Sequence, residues 1–194
     1  MSAEIYLVRH GETEWNAAGR FQGTFDSVLT RRGVAQVEAM GRTLAGLGVV
    51  PDAFHASPLG RTRHSAAIIA AHATCPPVIL DQRLAEVSLG SWNGLTSIDI
   101  DHCYPERLVG ASRHDWYYRS PDGESYEAAV ARAGRWLADA RGTIIAVSHG
   151  LIGQVIRGVY LGLDMTEAQR LPVPQDVIWR LHDGAVEGIA VGDN

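Results

Sequence analysis

The stretch Leu7-Val8-Arg9-His10-Gly11-Glu12-Thr13-Glu14-Trp15-Asn16 begins in an apolar segment and runs directly into an arginine, a histidine and a glycine. The apolar run that precedes the arginine has the composition of a buried strand. A strand that delivers a cation and an imidazole at its carboxyl end has the layout of a ligand site in an α/β protein. Gly11 also lacks the Cβ that would keep a bound anion away from the backbone. The stretch therefore predicts an α/β fold with an anion-binding turn after its first strand.

Strand and helix patterns alternate along the rest of the chain. The predicted strands cover residues 4–9, 52–56, 78–80, 143–147, 177–181 and 186–191, the last two joined by a turn at Asp183-Gly184. The predicted helices cover 31–47 with Thr30 as N-cap, 57–71 with Pro58 in the first turn, 126–137 after Ser125, and 150–161. The first helix is expected to bury one apolar stripe, formed by Val34, Val37, Met40, Leu44 and Leu47. We expect a single domain over residues 1–194: a three-layer α/β sandwich with a mostly parallel central sheet and helices on both faces.

Composition narrows the class of protein. The chain has 194 residues, a hydrophobic fraction of 46% and a net charge of -5. This charge gives no basic field for nucleic acid, and no apolar run approaches the length that spans a membrane. The N-terminus has no basic segment of a signal peptide, and two isolated cysteines, Cys75 and Cys103, do not make a disulfide framework. We expect a cytoplasmic globular protein that binds neither nucleic acid nor membranes.

Polar residues of one chemical kind follow three of the predicted strands. The first strand ends in Arg9-His10, the second leads to Arg61, and a later one ends in Ser148-His149. The carboxyl ends of parallel strands share one edge of the sheet, so two arginines and two histidines are expected to converge there. These side chains repel one another when charged unless an anion lies between them. Phosphate suits both arginine and helix N-termini, and it is the expected ligand.

Seven segments of the chain match one family in order. They are Leu7 to Asn16, Phe21-Gln22-Gly23, Leu29 to Gly33 with Gln36, Ser57-Pro58-Leu59-Gly60-Arg61-Thr62, Leu84-Ala85-Glu86 with Gly90-Ser91-Trp92-Asn93-Gly94, Pro121 to Ser125, and Val147-Ser148-His149-Gly150. On these segments the chain resembles the histidine phosphatase superfamily, which includes the cofactor-dependent phosphoglycerate mutases. The resemblance implies a phosphoglycerate mutase-like version of the predicted fold.

The resemblance also implies a role for each matching residue. His10 would attack phosphorus and carry a transient phosphohistidine, while Arg9, Arg61 and His149 would hold the phosphoryl oxygens. Glu86 would protonate the leaving oxygen and then activate water. Three further positions, Asn16, Gln22 and the backbone of Gly23, would help to seat the phosphate. No metal and no cofactor is implied, because arginine supplies the positive charge.

Residues 87–122 would form a cap that selects the leaving group. This segment contains Tyr104, Arg107, Arg113, His114, Trp116, Tyr117, Tyr118 and Arg119. The aromatic residues could wall the site and the arginines could pair a second anionic group, or several of them could simply pack the cap onto the domain. Asn93 stands where relatives often carry glutamate, so the hinge of the cap is less well defined than the core.

Three functions remain open from the sequence. The first is a metal-independent phosphatase acting on a small phosphorylated metabolite, and the second is a phosphoglycerate mutase. The third is a catalytically silent protein that binds a phosphorylated ligand. Hydrolysis is favoured over mutase transfer, because Val87-Ser88-Leu89-Gly90 lacks the basic, tyrosine-containing segment that mutases carry after the acid. His64 is expected to pack near the pocket, the remaining histidines and the cysteines show no zinc spacing, and a homodimer through a sheet edge stays open.

Overall fold

The computed structural model describes residues 3–112 and 115–191. Its strands are β1 (Glu4–Arg9), β2 (Ala53–Ala56), β3 (Val78–Leu80), β4 (Thr143–Ser148), β5 (Val177–His182) and β6 (Ala185–Ala190). Its α-helices are α1 (Glu14–Ala17), α2 (Arg31–Gly46), α3 (Gly60–His72), α4 (Ser97–Cys103), α5 (Pro105–Leu108), α6 (Tyr126–Asp139), α7 (Gly150–Leu161) and α8 (Met165–Ala168). Short 3-10 turns cover Gln82–Leu84, Gly90–Trp92 and Trp116–Arg119.

The six strands form one sheet in the order β3-β2-β4-β1-β5-β6. Strands β3, β2, β4 and β1 run parallel to one another, whereas β5 is antiparallel to both β1 and β6. The antiparallel pair is closed by the predicted turn, where Asp183 and Gly184 have φ angles of 46° and 78°. The prediction of a mostly parallel sheet is therefore confirmed.

Helices cover both faces of the sheet. On one face, α2 and α3 pack against β-strand side chains in a cluster that includes Val37, Met40, Ile69 and Phe54. On the other face, α6 and α7 bury a second cluster centred on Trp136. Alternate residues of β1 point into the two clusters, as the two-residue period of a strand requires. This arrangement is the predicted three-layer sandwich.

A third, smaller cluster lies under the segment predicted to form the cap. Its buried members are Leu89, Trp92 and Ile100, and Phe21 and Trp116 pack against them. The backbone joins the same two regions, because Phe21 donates to the carbonyl of Leu95 over 2.9 Å. The loop after β1 is thus held directly against residues 89–116.

Most predicted helices and strands agree with the structure, with two exceptions. The second helix begins at Gly60 and not at residue 57, because the N–H of Ser57 still donates to Val147 and extends the pairing of β2 with β4. Pro58 therefore precedes the helix. Leu47 was expected on the buried stripe but lies at the C-cap of α2 and is exposed. Within the described ranges, no helix has the length and apolar character needed to cross a lipid bilayer.

Candidate active site

The side chains predicted to converge are positioned by the ends of two adjacent parallel strands. In the register of β1 and β4, Arg9 lies opposite Ser148, and the next residue on each strand is a histidine. The N–H of His10 donates to the carbonyl of Ser148 over 3.0 Å, which continues the pairing past the strand ends. Arg61 enters from the first turn of α3, beside the same edge. Sheet register therefore brings both histidines and both arginines to one place.

His10 is buried, with 2% of its surface exposed. Its Nδ1 lies 2.7 Å from the carbonyl oxygen of Gly11. A carbonyl oxygen can only accept a hydrogen bond, so this contact places the ring proton on Nδ1 and the lone pair on Nε2. Nε2 in turn accepts a hydrogen bond from Nε of Arg61 over 3.2 Å. The ring is thus oriented with its nucleophilic nitrogen beside a cation.

Three acceptors from residues 23–26 fix the guanidinium group of Arg61. Its Nη1 donates to the carbonyl of Phe25 over 2.6 Å and to Oδ1 of Asp26 over 3.0 Å. Its Nη2 donates to the carbonyl of Gly23 over 2.8 Å. Asp26 also accepts from the backbone N–H of Gly60 and of Arg61, so one carboxylate caps the start of α3 and aligns the arginine.

His149 and Arg9 complete the cluster. The rings of His149 and His10 meet edge to face with centroids 5.2 Å apart. Nε2 of His149 lies 2.7 Å from the hydroxyl of Ser57, and Nη1 of Arg9 donates to the carbonyl of Val173. Nδ1 of His149 and Nε of Arg9 are buried with no protein partner among the described residues. Buried polar atoms of this kind call for a water or a ligand as their hydrogen-bond partner.

Electrostatics keep both histidines neutral. Burial, followed by the charges of Arg61 and Arg9, lowers the pKa of His10 well below its ordinary value of 6.5. Burial and the charge of Arg61 likewise lower the pKa of His149. Both rings are therefore uncharged at neutral pH, and an uncharged His10 has the lone pair that a nucleophile needs.

Glu86 lies at the N-terminus of α7. Its Oε1 accepts hydrogen bonds of 3.0 Å from the backbone N–H groups of Val87 and Ile152, and its Oε2 accepts one of 3.3 Å from Leu151. The carboxylate is half-buried. These contacts hold it at the edge of the site, where it can exchange a proton with a bound molecule.

A cavity of about 400 Å³ opens over this cluster. Its lining includes seven of the eight predicted site residues, namely Arg9, His10, Asn16, Gln22, Gly23, Arg61 and Glu86. The eighth, His149, lies behind Arg9 and lines a much smaller neighbouring cavity with it. The other lining residues are Gly19, Arg20, Phe21, Leu89, Ser97, Tyr117, Gly150, Leu151 and Val173.

The predicted phosphate-seating residues have distinct environments. Oδ1 of Asn16 accepts from the N–H of Thr13 over 3.2 Å and from Nε2 of Gln175 over 3.1 Å. Because both contacts use the oxygen, the amide nitrogen of Asn16 stays available as a donor. Gln22 is buried, and its Oε1 has no partner in the described part of the chain.

Several residues that support the site were not predicted. Asp26, Ser57, Val173 and Gln175 each hold a predicted residue through a hydrogen bond. Ser57 belongs to a matching segment but has no predicted role at the site, and the other three come from loops with no strand or helix periodicity. A carbonyl such as that of Val173 leaves no signal in side-chain identity.

The residues of the predicted cap have different surroundings. Tyr117 lines the cavity, while Trp116 packs against Phe21 and Trp92 in the small cluster. The predicted pairing of cap arginines with a second anion is not supported for Arg107 or for Arg119. The first is exposed outside the cavity lining, and the second is tied to Asp115 and to the carbonyls of Val109 and Gly110. Arg113 and His114 lie outside the described residues.

Two other predicted features can also be placed. His64 does not pack as expected, because it is exposed and lines a separate cavity with Asp26 and Gly60. Asn93, at the expected hinge, accepts a hydrogen bond from the N–H of Leu89 and donates to Thr24. Within residues 3–112 and 115–191, no three His, Cys, Asp or Glu side chains are grouped as metal ligands.

Comparison with known protein families gives a match over nearly the whole chain. The model of the histidine phosphatase superfamily (branch 1) matches residues 5–183. Among curated proteins, the "Probable phosphoglycerate mutase GpmB" of Erwinia tasmaniensis is 37% identical over 177 residues, covering 87% of this chain and 79% of that protein.

Solved structures agree with the fold. The YhfR protein of Bacillus stearothermophilus superposes with a TM-score of 0.82 at 26% identity, covering 100% of this chain and 98% of that chain. A phosphoserine phosphatase of Entamoeba histolytica, solved in complex with phosphoserine, gives a TM-score of 0.76 at 25% identity, with 97% and 95% coverage. Proteins named as mutases and as phosphatases thus share this architecture.

Proposed function

The chain belongs to the histidine phosphatase superfamily, and from this membership we propose that it is a metal-independent phosphatase of a small phosphorylated metabolite. The observation that carries the proposal is the contact between His10 and Arg61. A buried, neutral imidazole presents Nε2 beside a fixed guanidinium group, in a cavity that Glu86 also lines. A nucleophile, a charge clamp and a proton donor are the three parts that phosphoryl transfer to a side chain needs.

In the proposed first step, Nε2 of His10 attacks phosphorus, and the bond between phosphorus and the ester oxygen breaks. Arg9, Arg61 and His149 stabilise the charge on the phosphoryl oxygens, and Glu86 gives its proton to the leaving oxygen. The products of this step are a free alcohol and phosphohistidine. The hydrogen bond from Nδ1 of His10 to Gly11 stabilises the positive charge that the ring acquires.

In the proposed second step, the Glu86 carboxylate takes a proton from water, and the water oxygen attacks phosphorus. The bond between phosphorus and Nε2 breaks, inorganic phosphate leaves, and His10 and Glu86 return to their starting states. The half-buried position of Glu86, at the edge of the cavity, suits a group that must reach both the alcohol and water.

A phosphoglycerate mutase is the second candidate, and the name of the 37% identical relative favours it. A mutase returns the phosphoryl group to another hydroxyl, so it must retain a bisphosphate intermediate and exclude water. The described arginines of the cap offer little for this, because neither Arg107 nor Arg119 lines the cavity. A silent binder is the least supported candidate, since His10, Arg9, Arg61, Glu86 and His149 are all present.

The proposal is tested by measuring phosphate release from a panel of phosphomonoesters in the presence of a chelator, with His10→Ala in parallel. We expect the wild type to hydrolyse at least one ester and the variant to hydrolyse none. Isomerisation that depends on a bisphosphate primer, without net release of phosphate, would show that the protein is a mutase and not a phosphatase. Loss of wild-type activity in chelator would reject the metal-independent mechanism.

A further inference from the structure

The active-site cavity has a neighbour on the side of Glu86. This second cavity, which we call the side cavity, measures about 220 Å³ and is lined by Tyr117, Leu151, Gln154, Gln169, Arg170, Leu171, Pro172 and Val173. Three of these residues, Tyr117, Leu151 and Val173, also line the active-site cavity. They form a shared wall, so the two cavities are adjacent.

The shared wall contacts two of the groups that act on the phosphoryl ester. The N–H of Leu151 donates to Oε2 of Glu86 over 3.3 Å, and the carbonyl of Val173 accepts from Arg9. The charges of both Arg9 and Glu86 act on the hydroxyl of Tyr117. Burial raises the pKa of this hydroxyl, the charge of Arg9 lowers it, and the charge of Glu86 raises it. The leaving oxygen must lie beside its proton donor. The alcohol that carries it therefore starts at this wall.

The one charged side chain among the described lining residues of the side cavity is a cation. Arg170 brings a cation, Gln154 and Gln169 bring amides, and no aspartate or glutamate is among the described lining residues. Gln169 is buried, with 6% of its surface exposed, yet its Nε2 has no hydrogen-bond partner within the described ranges. Nε2 of Gln154 is already used, because it donates to the carbonyls of Gln169 and Leu171. An unpaired buried donor beside a cation favours an anionic oxygen ligand.

We propose that the side cavity is a leaving-group subsite that binds a second anionic group, a carboxylate, through Arg170 and Gln169. The proposal rests on the proposed function, since it assumes that a phosphomonoester occupies the space over His10. The role that the sequence suggests for the cap arginines thus belongs to residues that follow α8. It makes Arg170 and Gln169 specificity residues, with no part in the transfer of the phosphoryl group.

The test uses matched esters that differ in one group. Glycerol 3-phosphate and 3-phosphoglycerate share a three-carbon skeleton, and glucitol 6-phosphate and 6-phosphogluconate share a six-carbon one. In each pair the second ester has a carboxylate where the first has a hydroxymethyl group. Each ester is assayed as an inhibitor of p-nitrophenyl phosphate hydrolysis, which gives its inhibition constant whether or not it is itself turned over.

We expect the wild type to bind the carboxylate member of at least one pair about tenfold more tightly, as a charge-assisted hydrogen bond provides. Arg170→Gln should remove this preference without changing kcat for p-nitrophenyl phosphate, because Arg170 is exposed and does not line the cavity over His10. Gln169→Leu should reduce the preference too, and its thermal unfolding curve separates that effect from a loss of folding. Arg107→Gln, an exposed cation outside both cavities, is the matched control and should leave the preference intact.

Two results would overturn the inference. One is a wild type that does not distinguish the members of either pair. The other is a preference that survives in Arg170→Gln but disappears in Arg20→Gln, which would assign the second anion to the mouth of the active-site cavity, where Arg20 lies. Failure of the proposed function gives a different result, namely no hydrolysis of p-nitrophenyl phosphate by the wild type.

Discussion

Nε2 of His10 and Nε of Arg61 lie 3.2 Å apart, so the candidate nucleophile shares a hydrogen bond with the cation whose charge lowers its pKa most. The contact has two consequences. It keeps the imidazole neutral, because a second positive charge at this distance is unfavourable. In the proposed mechanism it also marks where the phosphoryl group binds, since phosphorus would approach the lone pair of Nε2 that now accepts from Arg61.

The first prediction concerns the nucleophile. His10→Ala should lower kcat by about 10³-fold or more, because no other group can form the covalent intermediate. Circular dichroism and thermal unfolding should show that the fold persists. His64→Ala, which removes an exposed histidine of α3, is the control and should retain activity. Near-normal turnover by the His10 variant would exclude it as the nucleophile.

The second prediction concerns the alignment of Arg61. Asp26→Asn should lower kcat/KM by about 10-fold, because it weakens a charge-assisted hydrogen bond that orients the guanidinium group. Arg61→Lys should lower it by about 10²-fold, because an ammonium group cannot replace a fork that donates to three partners and to His10. Steady-state kinetics on one ester compare the two. An Asp26 variant as impaired as the Arg61 variant would mean that Asp26 does more than orient the arginine.

The fold could be predicted from the sequence because the periods of strands and helices are local and repetitive. The strand ends at Arg9-His10 and Ser148-His149 could be placed together since parallel strands share an edge, and the structure shows them in adjacent register. The start of α3 was misplaced for a local reason. Ser57 and Pro58 look like a helix start, but the pairing of Ser57 with Val147 continues the sheet.

The rest of the site depends on contacts that a sequence does not record. Arg9 is held by the carbonyl of Val173, 164 residues away, and Asn16 by Gln175. Backbone acceptors and loop-to-loop contacts have no periodicity and no residue preference strong enough to predict them. The cap was uncertain for the same reason, because only packing decides that Tyr117 lines the cavity while its neighbour Trp116 does not.

The third prediction concerns the proton donor. Glu86→Gln should reduce kcat/KM for alkyl phosphates by about 10²-fold or more and for p-nitrophenyl phosphate much less, because nitrophenolate leaves without protonation and kcat/KM does not include the later attack of water. Glutamine keeps an oxygen that can accept from the N–H groups at the start of α7, so this variant separates proton transfer from helix capping. Equal losses on the two kinds of ester would argue against Glu86 as the general acid.

The fourth prediction concerns pH and stability. His10 has a pKa well below 6.5 in the folded protein, mainly through burial and then through Arg61 and Arg9, whereas the unfolded chain regains the ordinary value. Below pH 6.5 the unfolded state therefore binds more protons, and the contribution of this group to stability, complete above pH 6.5, is lost as the pH falls toward the folded-state pKa. The slope from one such histidine reaches about 1.4 kcal/mol per pH unit.

Urea unfolding between pH 7 and pH 5, in phosphate-free buffer, checks this. Other groups titrate in the same range, so the comparison is between the wild type and His10→Gln, in which this one titration is absent. The variant should show a shallower fall of the unfolding free energy. Identical slopes would mean that His10 has the same pKa in the folded protein as in the unfolded chain, and they would remove the argument that burial and the arginines keep it neutral.

The fifth prediction compares two glycines of the cavity lining with similar backbones. Gly23 and Gly19 have φ angles of 49° and 67°, so alanine is strained by about 1 kcal/mol at either position. A Cβ at Gly19 meets nothing within 4 Å, but one at Gly23 would lie 1.8 Å from Oδ1 of Asn93. Gly23→Ala must therefore displace either the side chain of Asn93 or the carbonyl that holds Arg61.

We expect Gly19→Ala to lose stability alone and Gly23→Ala to lose kcat/KM as well, by about 10-fold or more, because the carbonyl of Gly23 positions a guanidinium group on the phosphoryl oxygens. Adding Asn93→Ala to Gly23→Ala tells the two displacements apart. It removes the atom that the new methyl group meets, so it should restore part of the activity if the collision moves the backbone. A double variant no better than Gly23→Ala would show that the strained backbone itself, and not Asn93, disturbs Arg61.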